Sequence, residues 1–140
     1  MARIVREIMT AEPETLPADR PIVEAARLMR DHDIGDVLVL DGDRLRGVLT
    51  DRDIAVRVVA DDKVPQDTTI GDVCSGATAT ASPDEDTAQA ARVMRDHAIR
   101  RLPVVDGGGK VLGVVSIGDV AVERDERSAL ADISTSEPNT

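Results

Sequence analysis

One stretch of this sequence occurs twice, and that duplication limits the possible folds more than any other feature. Ala25–Ile34, AARLMRDHDI, matches Ala90–Ile99, AARVMRDHAI, at eight of ten positions with an offset of 65 residues. One added glycine in DGGGK moves the offset to 66, and GVLTDRD, beginning at Gly47, then matches GVVSIGD, beginning at Gly113. Ordered matches of this length indicate two copies of one unit of roughly 60 residues.

Both copies show the same order of predicted elements. An extended stretch precedes a helix whose apolar positions recur at helical spacing, and two strands joined by a turn follow before a last helix. A unit this small is marginal alone, and strands such as DVLVL are apolar enough for burial on both faces. The sequence therefore predicts an α+β fold with two βαββα repeats, packed through their sheets with pseudo-twofold symmetry.

The repeat also divides the chain. We expect the first repeat, with its N-terminal segment, at residues 1–64 and the second repeat at residues 65–126. The remaining residues, 127–140, are polar and poor in large apolar side chains, and for that reason we predict a disordered tail.

Composition excludes several classes of partner. The formal net charge of −10 repels polyanions, which argues against a nucleic-acid partner. The chain lacks an apolar run of about 20 residues, so we expect no membrane span and a cytoplasmic protein. Phe, Tyr and Trp are all missing, so any flat ring that the protein binds must lie against aliphatic side chains.

A hydroxyl and an aspartate recur where the second strand of each copy meets the last helix: Thr50 with Asp53, and Ser116 with Asp119. Such a pair can simply cap the helix, since the hydroxyl accepts a backbone N–H bond and the carboxylate favours the helix dipole. The same pair suits a ribose phosphate, because a helix N-terminus attracts phosphate and a carboxylate can accept bonds from ribose hydroxyls. The residues alone leave both interpretations open.

The duplication, the element order, the strand RRLPVVD and the two G-h-h-[ST]-x-x-D ends resemble a tandem pair of CBS domains, often called a Bateman module. The likeness covers nearly the whole chain and extends to small stand-alone bacterial CBS-pair proteins. It implies binding of AMP, ADP, ATP or S-adenosylmethionine as a regulatory ligand, in clefts between the repeats. It also implies a homodimer and a regulated protein partner of unknown identity.

The resemblance assigns roles to individual positions. Asp53 and Asp119 would hold the ribose, and Thr50 and Ser116 would lie beside the phosphate. A basic residue just before the second copy's strand often contacts phosphate in the family, which points to Arg101. Backbone near Thr15 and Thr80, and the strand starts at Val37 and Leu102, would frame the base, and Pro103 is a further candidate ligand-binding residue.

The copies differ in charge near these positions. The first copy has Gly35 and Asp36 where the second has Arg100 and Arg101, so the phosphate contact is missing there. Arg52 lies within TDRD, where it could reach a phosphate, and Gly118 takes that place in the second copy. A surface ion pair with one of the 27 acidic residues is the alternative role for each arginine.

These observations predict a sensor of adenosyl ligands rather than an enzyme. We find no nucleophile paired with a base and no metal-ligand cluster, so catalytic and metal sites are not expected. His32, His97 and Cys74 have structural explanations near helix ends and in the core. The alternative is a ligand-free structural or protein-interaction dimer whose motifs only cap helices.

Overall fold

The computed structural model describes residues 3–77 and 79–123. Its elements follow the α+β order that the repeat predicts, with a short helix before each copy's first extended segment. In chain order the elements are α1 (Val5–Ile8), β1 (Thr10–Ala11), β2 (Thr15–Pro17), α2 (Ile22–His32), β3 (Asp36–Asp41), β4 (Arg44–Thr50), α3 (Asp51–Ile54), a π-helical turn (Ala55–Val59), α4 (Ile70–Val73), α5 (Thr87–Asp96), β5 (Arg101–Val105), β6 (Val111–Ser116) and α6 (117–123).

Two small sheets form the frame, with strand orders β2-β3-β4 and β1-β6-β5. β2 runs parallel to β3, and a single parallel bridge between Ala81 and Val104 takes its place in the second sheet. β1 runs antiparallel to β6, and a single antiparallel bridge between Val48 and Ser75 takes its place in the first sheet. The two halves are thus built alike, as pseudo-twofold symmetry requires.

The segment that enters each repeat packs against the other repeat. Val5, on α1, is fully buried in the apolar cluster of the second half, and β1 joins the second half's sheet. Ile70, on α4, is fully buried in the cluster of the first half. Each core therefore contains side chains from both copies, which is a physical reason to expect that neither repeat is stable alone.

Backbone hydrogen bonds fasten the exchanged segments at equivalent positions. Val5 N donates to the carbonyl of Glu85 at 2.8 Å, and Ile70 N donates to the carbonyl of Arg20 at 2.8 Å. Both donors and both acceptors are related by the offset of 65 residues. The same geometry therefore occurs twice, once for each direction of the exchange.

The repeated glycines lie where the exchanged segments pass closest. A Cβ on Gly47 would be 2.2 Å from the carbonyl oxygen of Ser75, and one on Gly113 would be 2.6 Å from that of Thr10. Such approach leaves no room for a side chain. The glycine that opens each repeated motif is thus explained by strand contact within the protein.

The long helices agree with the sequence prediction. Ala25 and Met29 on α2, and Ala90 and Met94 on α5, are buried, as helical spacing of the apolar positions indicates. The proposed tail at 127–140 lies outside the described residues, and the boundaries at 64 and 126 stay predictions.

Candidate functional site

The first strand-to-helix corner is a reciprocal capping box. Thr50 ends β4, and its Oγ1 accepts a hydrogen bond from Asp53 N at 3.0 Å. In return, Asp53 Oδ2 accepts from Thr50 N at 3.0 Å. Two backbone N–H groups that would lack partners at the start of α3 and end of β4 are thereby satisfied.

The second corner repeats this geometry. Ser116 Oγ accepts from Asp119 N at 3.0 Å, and Asp119 Oδ2 accepts from Ser116 N at 2.8 Å. The capping role of both hydroxyl–aspartate pairs is therefore confirmed. Their role in binding a ribose or a phosphate stays a prediction.

Strand register brings the two corners to either side of one ion pair. Asp36 pairs with Thr50 across β3 and β4, and Arg101 pairs with Ser116 across β5 and β6. Directly opposed residues place their side chains on the same face of a sheet. Arg101 Nε lies 3.2 Å from Asp36 Oδ2, so an ion pair between equivalent positions of the two repeats separates the two corners.

Burial makes this ion pair unlike one on the open surface. The side chain of Asp36 is 23% exposed, and burial raises the pKa of its carboxyl group. The positive charge of Arg101 opposes that rise, whereas the neighbouring carboxylate of Asp51 adds to it. Asp36 therefore depends on Arg101 for its charge compensation, because partial removal from water disfavours an isolated carboxylate.

The corners differ one helical turn further along the chain. Arg57 Nη1 donates to the carbonyl of Val73, on the exchanged segment, at 3.0 Å, and Arg57 Nε lies 4.0 Å from Asp53 Oδ1. The equivalent position in the second repeat is Glu123, which is buried. Asp53 thus has a basic neighbour in the next turn, whereas Asp119 has an acidic residue at that position.

The remaining predicted site residues fall into two groups. Val37, Leu102 and Pro103 are buried in the sheets, backbone included: Val37 is 1% exposed and Leu102 is 0% exposed. Thr15 begins β2 and Thr80 precedes the bridge at residue 81. These positions stay predictions, because the geometry does not test their contact with a ligand.

The two predicted arginines have different surroundings. Arg52 lies in the first turn of α3 with an exposed side chain, and the described residues offer it no ion pair. Arg101 has the ion pair that was its alternative role. From the sequence, Asp36 is identified only as a position where the first copy lacks a basic residue for phosphate. The signal that could have revealed the ion pair is that Asp36 and Arg101 are equivalent positions with opposite charges.

A groove of about 550 Å³ lies at the other end of the first sheet. Asp41, Arg46 and Asp72 are among the residues that line it. Arg46 already lies 3.3 Å from Asp41 and donates to the carbonyl of Gly71 at 3.4 Å. Because Asp41 and Asp36 are at opposite ends of β3, this groove is separate from the two corners.

Two observations on the described residues concern metal-ligating side chains and the Cys74 thiol. Residues 3–77 and 79–123 contain no group of three or more His, Cys, Asp or Glu side chains that could hold a metal ion. Burial raises the pKa of the Cys74 thiol despite the opposing charge of Arg46, which disfavours the reactive thiolate. Within the same residues, no helix is long and apolar enough to cross a membrane.

Comparison with models of protein families finds the same duplication in the sequence. The model of the CBS domain matches residues 5–60 and again residues 70–125. The chain belongs to the CBS-domain family. The CBS domain-containing protein YhcV of Bacillus subtilis is 38% identical over 134 residues, which cover 93% of this chain and 94% of that protein.

Solved CBS proteins share the fold. Hypoxic Response Protein I with two coordinated zinc ions superposes with a TM-score of 0.78 at 31% identity, over 86% of this chain and 98% of that one. The CBS domain pair of protein MJ0100, in complex with 5′-methylthioadenosine and S-adenosyl-L-methionine, superposes with a TM-score of 0.78 at 28% identity. That match covers 91% of this chain and 99% of that one.

Proposed function

We propose that this CBS pair is a non-catalytic regulatory module that binds an adenosyl ligand at the two strand-to-helix corners. The observation that carries the proposal is that each corner presents a hydroxyl and a carboxylate in one fixed geometry, held by the capping box. The adenosyl ligands of the MJ0100 pair support the ligand class. We expect the module to act in the cytoplasm.

Capping and ligand binding are compatible at one corner. In the first capping box the Thr50 hydroxyl acts only as acceptor, so its O–H group can still donate to a ligand. Asp53 uses Oδ2 in the box, which leaves Oδ1 as an acceptor for a ribose hydroxyl. The cap therefore holds both groups in place before the ligand arrives, which lowers the entropy lost on binding.

An exposed apolar surface supports a homodimer. Val56 follows the first corner and is 51% exposed, and its equivalent Val122, on α6, is 59% exposed. Val59 and Ile117 are also exposed. Apolar side chains at equivalent positions of both repeats would meet their counterparts in a second copy related by a twofold axis. Ligand could then regulate by favouring one arrangement of the dimer, by no more than its differential affinity for the two.

Calorimetric titration with AMP, ATP and S-adenosylmethionine tests the proposal. We expect binding of one ligand, and a loss in Asp119→Ala or Asp53→Ala of about 1.5–3 kcal/mol, the typical contribution of a hydrogen bond to a charged group. Asp61→Ala, at an exposed turn, is the control for charge and should bind as the unaltered protein does. Absence of heat with every ligand, together with unchanged melting temperatures, would refute the proposal.

Loss of the cap has to be separated from loss of the ligand contact. Asp119→Asn keeps an acceptor for Ser116 N and removes only the charge, so its fold is expected to resemble that of the unaltered protein. Weaker binding by this variant, with little change in unfolding free energy, supports direct contact with the ligand. Unchanged affinity would show that the ribose assignment is wrong.

A ligand-free structural dimer is the second candidate, and the Asp36–Arg101 ion pair favours it. The one arginine that the resemblance assigns to phosphate already has a partner. The absence of Trp and Tyr gives a direct test, since adenine absorbance in the purified protein would be obvious against so weak a protein background. Protein that carries no nucleotide and binds none on titration would favour this candidate over the adenosyl-binding module.

A further inference from the structure

The ion pair between Asp36 and Arg101 places a carboxylate of the protein itself beside the arginine that is expected to bind phosphate. Asp36 lies beside the Thr50 corner and Arg101 beside the Ser116 corner, through the strand pairs that hold them. Their charged groups are 3.2 Å apart, so the Asp36 carboxylate already occupies one side of the guanidinium. A phosphate at this position would compete with a group that is part of the protein.

Charges around the pair make the competition unequal. Gly35 leaves space in which the Asp51 carboxylate approaches this backbone, with Oδ2 3.2 Å from where a Gly35 Cβ would lie. Asp53 follows two residues later, with a side chain 15% exposed. The Arg101 side chain is 45% exposed and approaches Asp36 through Nε, so a phosphate drawn to Arg101 would share the guanidinium with Asp36 and lie near the Asp51 carboxylate. Sharing Arg101 with a second anion weakens the charge compensation of the partly buried Asp36 carboxylate.

A ligand without a phosphate does not compete with Asp36 for Arg101. A neutral group at the 5′ carbon of adenosine leaves the ion pair intact. A cationic group there is attracted by Asp36, Asp51 and Asp53, although Arg101 and Arg57 partly neutralise the charges of Asp36 and Asp53. The charges of the corner thus discriminate between adenosyl ligands according to the group at the 5′ carbon. The ribose contacts do not, because they are the same for every adenosyl ligand.

We propose that Asp36 is a specificity-determining residue, which selects adenosyl ligands with a neutral thioether or a cationic sulfonium at the 5′ carbon over those with a phosphate. The inference rests on the proposed function and adds the ligand class. Asp36 acts as a resident counter-ion of Arg101. Removal of its charge releases Arg101 for a phosphate.

Titration of the full chain with S-adenosylmethionine, 5′-methylthioadenosine and AMP tests the inference. We expect the unaltered protein to bind at least one of the two sulfur compounds about tenfold or more tightly than AMP. Asp36→Asn should shift that ratio about tenfold or more toward AMP. Asp33→Asn is the matched control, because it removes the same charge from an exposed position three residues earlier and should leave the ratio unchanged.

The outcomes separate this inference from the proposed function. Binding with no change of the ratio in Asp36→Asn, or a preference of the unaltered protein for AMP, overturns the selectivity and leaves the adenosyl module intact. No binding of any compound by any folded variant overturns both. Circular dichroism checks the fold of each variant, and Asp36→Ser replaces Asp36→Asn if the latter does not fold.

Discussion

Replacement of Gly47 by alanine tests the exchange of segments between the repeats. The new Cβ would lie 2.2 Å from the Ser75 carbonyl oxygen and 3.0 Å from its carbonyl carbon. Both are backbone atoms, so no side-chain rotation relieves the clash. Val48 N donates to that same oxygen at 2.9 Å, and Ser75 N donates to the Val48 carbonyl at 3.1 Å. The segment must move away, and both hydrogen bonds lengthen or break.

The expected cost follows from these contacts. Overpacking of a well-packed site typically costs about 1–3 kcal/mol. The two backbone hydrogen bonds add about 1 kcal/mol each when they are lost. Alanine restricts the unfolded chain more than glycine does, which offsets about 0.4–1 kcal/mol. We therefore expect Gly47→Ala to lower the free energy of unfolding by about 2–5 kcal/mol. An ordinary domain has a total of about 5–15 kcal/mol, so this loss is large.

Urea unfolding followed by far-ultraviolet circular dichroism measures this change, since the chain has no aromatic side chain to report by fluorescence. Gly76→Ala is the control: a Cβ there would meet no atom within 4 Å, although Gly76 follows Ser75 directly. Its effect should stay within about 0.5 kcal/mol. Equal effects of the two substitutions would refute the close approach of the exchanged segment to β4.

Three further predictions concern the cores, the ion pair and the caps. Ile70→Ala should lower the unfolding free energy by about 2–5 kcal/mol and still give one cooperative transition in urea, because this buried side chain joins α4 to the first half. Two separate transitions would contradict the presence of side chains from both copies in each core. The unfolding free energy of Asp36→Asn should rise relative to that of the unaltered protein as the pH increases from about 4 toward 7. The reason is that a carboxyl group whose pKa is raised by folding costs stability when it ionises, which occurs above the ordinary pKa of 3.8. The opposite trend would show that the charge of Arg101 affects this pKa more than burial does. Thr50→Ala should lose about 0.5–2 kcal/mol of unfolding free energy, and Thr50→Ser should lose less because it keeps the accepting hydroxyl; equal losses would exclude the cap as the cause.

The sequence predicts those features of the fold that depend on local pattern. Helical spacing identifies the buried faces of α2 and α5, and the buried Met29 and Met94 confirm it. Two apolar runs separated by a turn, once in each copy, identify the strand pairs β3–β4 and β5–β6. Hydroxyl and aspartate three residues apart predict the caps, because a capping box needs only residues within one helical turn.

The exchange between repeats could not be predicted in this way. The segments around Val5 and Ile70 are equivalent in the two copies, and each carries an apolar residue at the position that enters a core. Sequence patterns describe which residues are apolar and do not identify which copy they pack against. The choice depends on the path of the connecting chain, which is a property of the whole fold.

Pseudo-twofold symmetry accounts for the part of the site that the sequence did not predict. Residues on the axis meet their own equivalents, as the backbone bridge between Arg44 and Lys110 illustrates. Like charges meet at that bridge, since both residues are basic. At another pair of equivalent positions the repeats carry Asp36 and Arg101, so opposite charges meet and form an ion pair.

This difference in charge also makes the two corners chemically different while their geometry stays the same. Beyond the first corner stands Arg57, and beyond the second stands Glu123, at equivalent positions of the repeat. Both corners keep the hydroxyl and the carboxylate that an adenosyl ribose requires in our proposal. Because the ribose contacts are common and the surrounding charges are not, we expect differences in ligand preference between the corners to come from charged neighbours, among them Asp36 and Arg57.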